Sequence, residues 1–215
     1  MATEGRSTVL GPSPTRSAGV RWDDQGLDRR SRRAFQGRGG AVVWLTGLPS
    51  AGKSTVAGAV EQHLMLLGHP AYRLDGDNLR HGLNGDLGFS PADRAESVRR
   101  TGHAAALLAD AGLIVLVSLV SPFAADRDAA RATVTEVELP FFEIWVRTPL
   151  AVCEDRDPKG LYARARAGEL RGMTGIDDPY EPPAAPELVI DGTAPITQAM
   201  AEIVGELRAQ GLLGR

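Results

Sequence analysis

The sequence predicts an α/β protein: a parallel sheet of five strands with helices packed on both faces. Three observations carry this. Short, largely apolar runs recur along the chain, at Ala41–Leu45, Leu113–Val117 and Phe141–Val146 (interrupted by Glu143), and near-continuous apolar runs are strands covered on both sides. Segments with helical spacing separate them, as crossover connections require. The first run passes directly into a glycine-rich loop and a helix-forming stretch, AVVWLTGLPSAGKST.

That loop sets the chemistry. Gly47, Gly52, Lys53 and Ser54 complete G-x-x-x-x-G-K-[ST], the phosphate-binding loop, or P-loop. Gly47, Leu48, Pro49, Ser50, Ala51, Gly52, Lys53, Ser54 and Thr55 are expected to surround the phosphates, with backbone N–H donors from all but Pro49, and glycine lets the backbone come close. The following helix turns its positive end toward the anion. Lys53 is expected on the β- and γ-phosphates of ATP, and the Ser54 hydroxyl on Mg²⁺.

After the loop, a helix is expected over Thr55–Leu67, ending at Gly68, then a short strand over Pro70–Leu74. The strand runs into Asp75-Gly76-Asp77-Asn78. Alone this is a turn. At the carboxyl end of a parallel strand it lies where open sheets bind ligands. Asp75 is then expected to accept the proton of an attacking hydroxyl or to hold Mg²⁺ through water.

Ser90-Pro91 marks the start of a helix running to about Asp110. Arg80 and Arg94 beside it suit an anionic acceptor, whereas Arg99 and Arg100 read as surface charge. Phe89 stacks on a base or staples the helix. The strand Leu113–Val117 ends in Ser118-Leu-Val-Ser121-Pro122, without the acid that often holds Mg²⁺ there, so metal support falls to Asp75. A helix follows from Ala124, and another starts at Thr148-Pro149 and continues through Glu154. Arg156 to Arg171 holds five cations against two acids, a composition that suits a lid closing over nucleotide or a solvated helix hairpin. An edge strand over Leu188–Ile190 and a helix over Ile196–Leu212 complete the domain.

Composition narrows the partners. The chain has 215 residues and a net charge of −3, so nothing favours nucleic acid. No apolar run reaches the roughly 18 residues of a membrane span. The start of the sequence shows no apolar leader, and one cysteine, Cys153, fits a reducing compartment; a cytoplasmic protein is expected. Only Lys53 and Lys159 are lysines among 24 cations, which draws attention to both. Residues 1–40 carry eight Arg and seven Gly. They divide into a disordered tail over 1–21 and a basic arm over 22–40, with Trp22 and Phe35 as its expected anchors; the domain proper is 41–215, its lid about 156–180.

Longer strings now carry a resemblance. WLTGLPSAGKST, LDGDNLRHGLNGDLGF, ADAGLIVL, VSPFAADRD, CEDRDPKGLYARARAGE and TGIDDPYEPP are similar to the adenylylsulfate (APS) kinase family from about Trp22 onward. The resemblance implies a P-loop NTPase fold, Mg-ATP as donor, transfer to the 3′-hydroxyl of adenosine 5′-phosphosulfate, and a homodimer. An association with a sulfate adenylyltransferase is a further expectation. The implied ATP contacts add Arg156 to the loop. The implied APS contacts are Asp75, Asp77, Arg80, Phe89, Arg94, Ser97, Val120, Ser121, Lys159, Leu161 and Met173. Asp75, Lys53, Ser121 and Lys159 match catalytic positions, Ser121 as a phosphoenzyme serine that in-line transfer does not require. Three residues depart from the family pattern: Ser97 for asparagine, Met173 for a second aromatic over the acceptor's adenine, and Ala124 for arginine. Pro49-Ser50 also replaces the frequent Ser-Gly. The alternatives are a P-loop kinase with another nucleotide or small-alcohol acceptor, and a non-catalytic nucleotide-binding partner of a sulfate-activation complex.

Overall fold

The structure, a computed structural model, describes residues 26–213. Five parallel strands form one sheet: β1 (Ala41–Thr46), β2 (Ala71–Asp75), β3 (Ile114–Ser118), β4 (Phe141–Arg147) and β5 (Leu188–Asp191), in the order β2-β3-β1-β4-β5. Every residue of β1 is buried, as its central place requires. Val43 and Leu45 face one apolar layer, and Val42 and Trp44 face the other.

On the first face lie α2 (Lys53–Leu66) and α8 (Ile196–Ala209), through Val56, Val60 and Leu64 of α2 and Ile203, Val204 and Leu207 of α8. On the second lie α4 (Pro91–Asp110) and α5 (Ala124–Thr135), through Val98, Ala105 and Ala109, and Ala130 and Val134. At Gly102 a Cβ would sit 3.3 Å from that of Ala130, so a side chain there would push α4 and α5 apart. The short helices α3 (Gly76–Leu79), α6 (Leu150–Arg156) and α7 (Leu161–Arg166) line the carboxyl edge of the sheet or lead away from it.

The boundaries differ from expectation in informative places. The helix after the glycine loop begins at Lys53, because Gly52 caps it in a left-handed conformation (φ 102°). Asp75-Gly76-Asp77-Asn78 is a helical turn, with the Asp75 carboxylate capping the N–H of Asp77. The segment 156–180 is pinned at two points. Tyr162 and Met173 are buried in the first apolar layer, while the arginines between them face outward.

Phe35, the expected anchor of the arm that lies within the described residues, does not anchor it. Trp22 and the tail lie outside the described residues. Phe35, on α1 (Arg29–Gln36), is 93% exposed. Charge holds this helix instead: Arg29 and Arg32 both pair with Asp110 at the end of α4, and Gln36 donates to the Ala111 carbonyl (3.0 Å). With no buried residue of its own, α1 has no apolar stripe to place Phe35 inside.

One buried ion pair fastens the acceptor end of the sheet. Arg127 donates to Glu143 (2.6 Å) and to the carbonyls of Ser121 (2.7 Å) and Glu181 (2.8 Å), and is 2% exposed. Removing one partner strands the other charge in an apolar setting, at a cost of about 3–5 kcal/mol. Glu143→Ala is therefore expected to lower the urea midpoint by that equivalent, with an unchanged slope.

Candidate active site

The carboxyl ends of β1, β2 and β3 open into a cleft of about 920 Å³. Gly47 follows β1 with φ 150°, and a Cβ there would lie 2.5 Å from the Val146 carbonyl oxygen. Only glycine fits that approach. Ser50 adopts φ 60°, the left-handed conformation that glycine takes without penalty; a side chain there costs about 1 kcal/mol or more.

The loop is braced from behind. The Tyr162 hydroxyl donates to the Pro49 carbonyl (3.0 Å) and the Thr148 hydroxyl to that of Ala51 (2.9 Å). Arg156 reaches the carbonyls of Ala51 (3.4 Å) and Gly192 (2.8 Å). A Cβ at Gly192 would overlap the Thr148 hydroxyl at 1.8 Å. With these carbonyls engaged on this side, and the Ala51 N–H donating to the Leu48 carbonyl (3.2 Å), the N–H groups toward the start of the helix at Lys53 face the place of an anion.

Lys53 is 8% exposed and donates to the carbonyls of Gly47 (3.0 Å) and Leu48 (2.7 Å). Burial pulls its ammonium down to about 8, against a favourable pull from Cys153 and Asp75. A fall from 10.5 to about 8 is roughly 3 kcal/mol. The unfolded chain keeps this proton until 10.5, so the penalty is full below pH 8 and fades as pH rises toward 10.5. Phosphate oxygens placed against the ammonium would relieve it.

Asp75 ends β2 and is 7% exposed. Its Oδ1 accepts from the Asp77 N–H (3.1 Å) and its Oδ2 from the Ser118 hydroxyl (3.2 Å). Burial alone would raise its pKa, but hydrogen bonds from Ser54, Asp77 and Ser118, with Arg73 nearby, hold it below the usual carboxylate value. It is an ionised acceptor at neutral pH. The Ser54 and Ser118 hydroxyls are 2.9 Å apart.

Across the cleft, Arg80 lies over the Phe89 ring at 4.0 Å and Arg94 is 5.7 Å from it. Arg80 donates to the Leu87 and Gly88 carbonyls, and Arg94 to those of Phe89 (2.9 Å) and Gly172 (2.8 Å). Lys159 pairs with Asp77 at the mouth. Arg99 and Arg100 instead pair with Glu96 and, for Arg100, Asp86, on the surface of α4.

All the expected acceptor residues line this cleft: Asp75, Asp77, Arg80, Phe89, Arg94, Ser97, Val120, Ser121, Lys159, Leu161 and Met173. Of the donor set, Gly47 and Leu48 lie beneath it and act through their carbonyls. The Ser121 hydroxyl is turned inward, accepting from the Trp44 indole (3.1 Å), at a backbone φ of 39°. The altered positions have local partners. Ser97 accepts from the Asn84 amide (2.9 Å), the Ala124 N–H donates to Glu181 (2.7 Å), and Met173 is buried. Sequence reasoning did not single out Tyr162, Thr148 or Gly192, which grip the loop. It read Ser118 only as a missing acid.

Among the described residues no cluster of three or more His, Cys, Asp or Glu gathers to hold a metal. One hydroxyl (Ser54) and one carboxylate (Asp75) instead suit Mg²⁺, which keeps its waters and takes phosphate oxygens as ligands.

Comparison with known proteins matches this geometry. The family model for adenylylsulphate kinase matches residues 39–191. The adenylyl-sulfate kinase of Citrobacter koseri is 52% identical over 88% of this chain and 93% of its own length. That of Arabidopsis thaliana, a chloroplastic protein, is 48% identical over 92% of this chain and 71% of its own. The structure of Mycobacterium tuberculosis APS kinase CysC in complex with AMPPNP and APS has a TM-score of 0.77 and 53% identity, covering 80% of this chain and 98% of that one. Fold, phosphate loop and sequence agree: the chain belongs to the adenylylsulfate kinase family, on a P-loop NTPase fold.

Proposed function

We propose that the protein transfers the γ-phosphoryl group of ATP to the 3′-hydroxyl of adenosine 5′-phosphosulfate, giving 3′-phosphoadenosine 5′-phosphosulfate and ADP. The observation that carries this reading is the shared cleft: the phosphate loop and an ionised, hydrogen-bonded Asp75 stand at neighbouring strand ends, facing the Arg80–Phe89–Arg94 cluster.

In this reading ATP enters against the loop N–H groups, and Lys53 exchanges the Gly47 and Leu48 carbonyls for phosphate oxygens. Ser54 and Asp75 would hold Mg²⁺, which when bound would supply positive charge to offset that of the donor's phosphates. Asp75 accepts the proton of the 3′-hydroxyl as its oxygen bonds to Pγ and the bond from Pγ to the bridging oxygen of ADP breaks. Arg80 and Arg94 bind the acceptor's phosphosulfate, and Phe89 stacks on its adenine. Arg156 holds the nucleotide at the donor end, and the exposed cations between Tyr162 and Met173 close over both substrates. The inward Ser121 hydroxyl agrees with direct transfer. The enzyme works as a cytoplasmic homodimer, a setting in keeping with its single, buried Cys153.

Ser97, Met173 and Ala124 favour a second reading, in which the donor chemistry is kept and the acceptor differs. A coupled assay with Mg-ATP, with and without APS, separates the two. APS-dependent ADP release matched by phosphorylated product supports the first; ATP binding without it supports the second.

Two further outcomes are expected. Asp75→Asn lowers turnover by about 10³-fold or more while the ATP dissociation constant, read by calorimetry, stays within about threefold. ATP affinity in the wild type falls as pH rises above about 8, by up to about tenfold per pH unit, because the free protein then loses the Lys53 charge. Lys53→Arg, which keeps its charge, flattens that slope in calorimetric titrations at pH 7, 8 and 9.

A further inference from the structure

The end of β3 holds Ser118, 4% exposed, in register with Asp75 of β2 and Leu45 of β1. It touches both halves of the cleft. Its hydroxyl donates to Asp75 Oδ2 (3.2 Å) and lies 2.9 Å from the Ser54 hydroxyl. Three polar groups thus form one chain, from the phosphate loop, across the central strands, to the carboxylate.

Hydrogen-bond bookkeeping fixes the direction of that chain. An ionised carboxylate only accepts, so the Ser118 proton points to Asp75. The Ser118 oxygen is then left as an acceptor, and the Ser54 proton points into the pair, toward the Ser118 oxygen and the Asp75 carboxylate. The Ser54 lone pairs are thereby turned away from Ser118 and left for a cation. On the other side, Asp75 is gripped at both oxygens, by Asp77 N–H at Oδ1 and by Ser118 at Oδ2. Two donors on two oxygens fix the plane of a carboxylate, leaving its remaining lone pairs aimed along set directions.

We propose that Ser118 is a positioning residue, whose hydroxyl orients the Ser54 oxygen toward the cation and the Asp75 carboxylate toward the acceptor hydroxyl in one interaction. The proposal rests on the function proposed above. It makes no direct contact with the reacting atoms a requirement: Ser118 acts through its two neighbours. A serine at the end of this strand couples the metal side to the base, where an acid would serve the metal alone.

The test uses the full chain and two pairs of side chains matched in shape. Ser118→Ala removes the hydroxyl. Ser118→Thr and Ser118→Val differ from each other only in carrying or lacking it. Ser118→Thr is expected to keep turnover within about threefold of wild type, and Ser118→Ala and Ser118→Val to lose about tenfold or more, with the KM for APS within about twofold. In an Asp75→Asn background Ser118→Ala is expected to cost clearly less than it does in the wild type, because one of the two residues through which Ser118 works is already altered. Binding supplies a readout apart from turnover. The ratio of ATP dissociation constants with EDTA and with Mg²⁺, by calorimetry, is expected to shrink about fivefold in Ser118→Ala. Equal loss in the Thr and Val proteins, a full further loss in the Asp75→Asn background, or an unchanged magnesium ratio overturns the proposal. Should APS not be the acceptor, wild type itself shows no APS-dependent ADP release, while the magnesium ratio still judges Ser118.

Discussion

Much of this molecule is arranged around one ammonium held where water would serve it better. Lys53 sits beneath the phosphate loop on two carbonyl oxygens. That position demands a loop bent tightly enough to bring the Gly47 and Leu48 carbonyls inward, and the bend demands glycine against Val146. It demands a central strand buried on both faces to deliver the loop, and a helix beginning at Lys53 to carry the side chain. The sheet order, with β1 between β3 and β4, supplies all of these. The cost of the buried charge is the binding energy in waiting: a polyphosphate offers the ammonium better partners than the loop's own carbonyls do.

Around this point the protein divides its labour by strand. β1 delivers the phosphate loop, β2 Asp75, and β3 the Ser118 hydroxyl between them. Thr148, just after β4, and Arg156, at the end of α6, grip the back of the loop. The acceptor side is built differently, from the loop before α4 and the segment ending at Met173, and is tied to the sheet through Arg127 and Glu143. The donor end is held mainly by backbone geometry and the acceptor end by side chains. Of the departures from the family pattern, Ser97 and Met173 line this side of the cleft, whereas Ala124 lies outside its lining and is held by its backbone N–H.

The parts legible in the sequence are those where a local pattern has a local cause. Apolar runs became strands because both sheet faces are covered. Ser90-Pro91 began a helix because its hydroxyl caps the N–H of Asp93. The glycine loop was legible as chemistry because its spacing is the geometry. What stayed hidden depends on residues far apart in the chain. Tyr162 braces Pro49 across 113 positions and Thr148 braces Ala51 across 97, and no periodicity announces either contact. Ser118 looked like an absence until Ser54 and Asp75 were seen on either side of it. Phe35 was misread because an aromatic suggests an anchor, whereas α1 is fastened by arginines to Asp110.

That fastening has a practical consequence. α4 contains 20 residues and therefore spans about 30 Å. Its first two turns, with Arg94 and Ser97, border the cleft; Asp110, at its last, receives Arg29 and Arg32. α1 is thus fastened about a helix length from the cleft, so a label or tether fixed on α1 itself stands clear of the chemistry and leaves the cleft open to the solution.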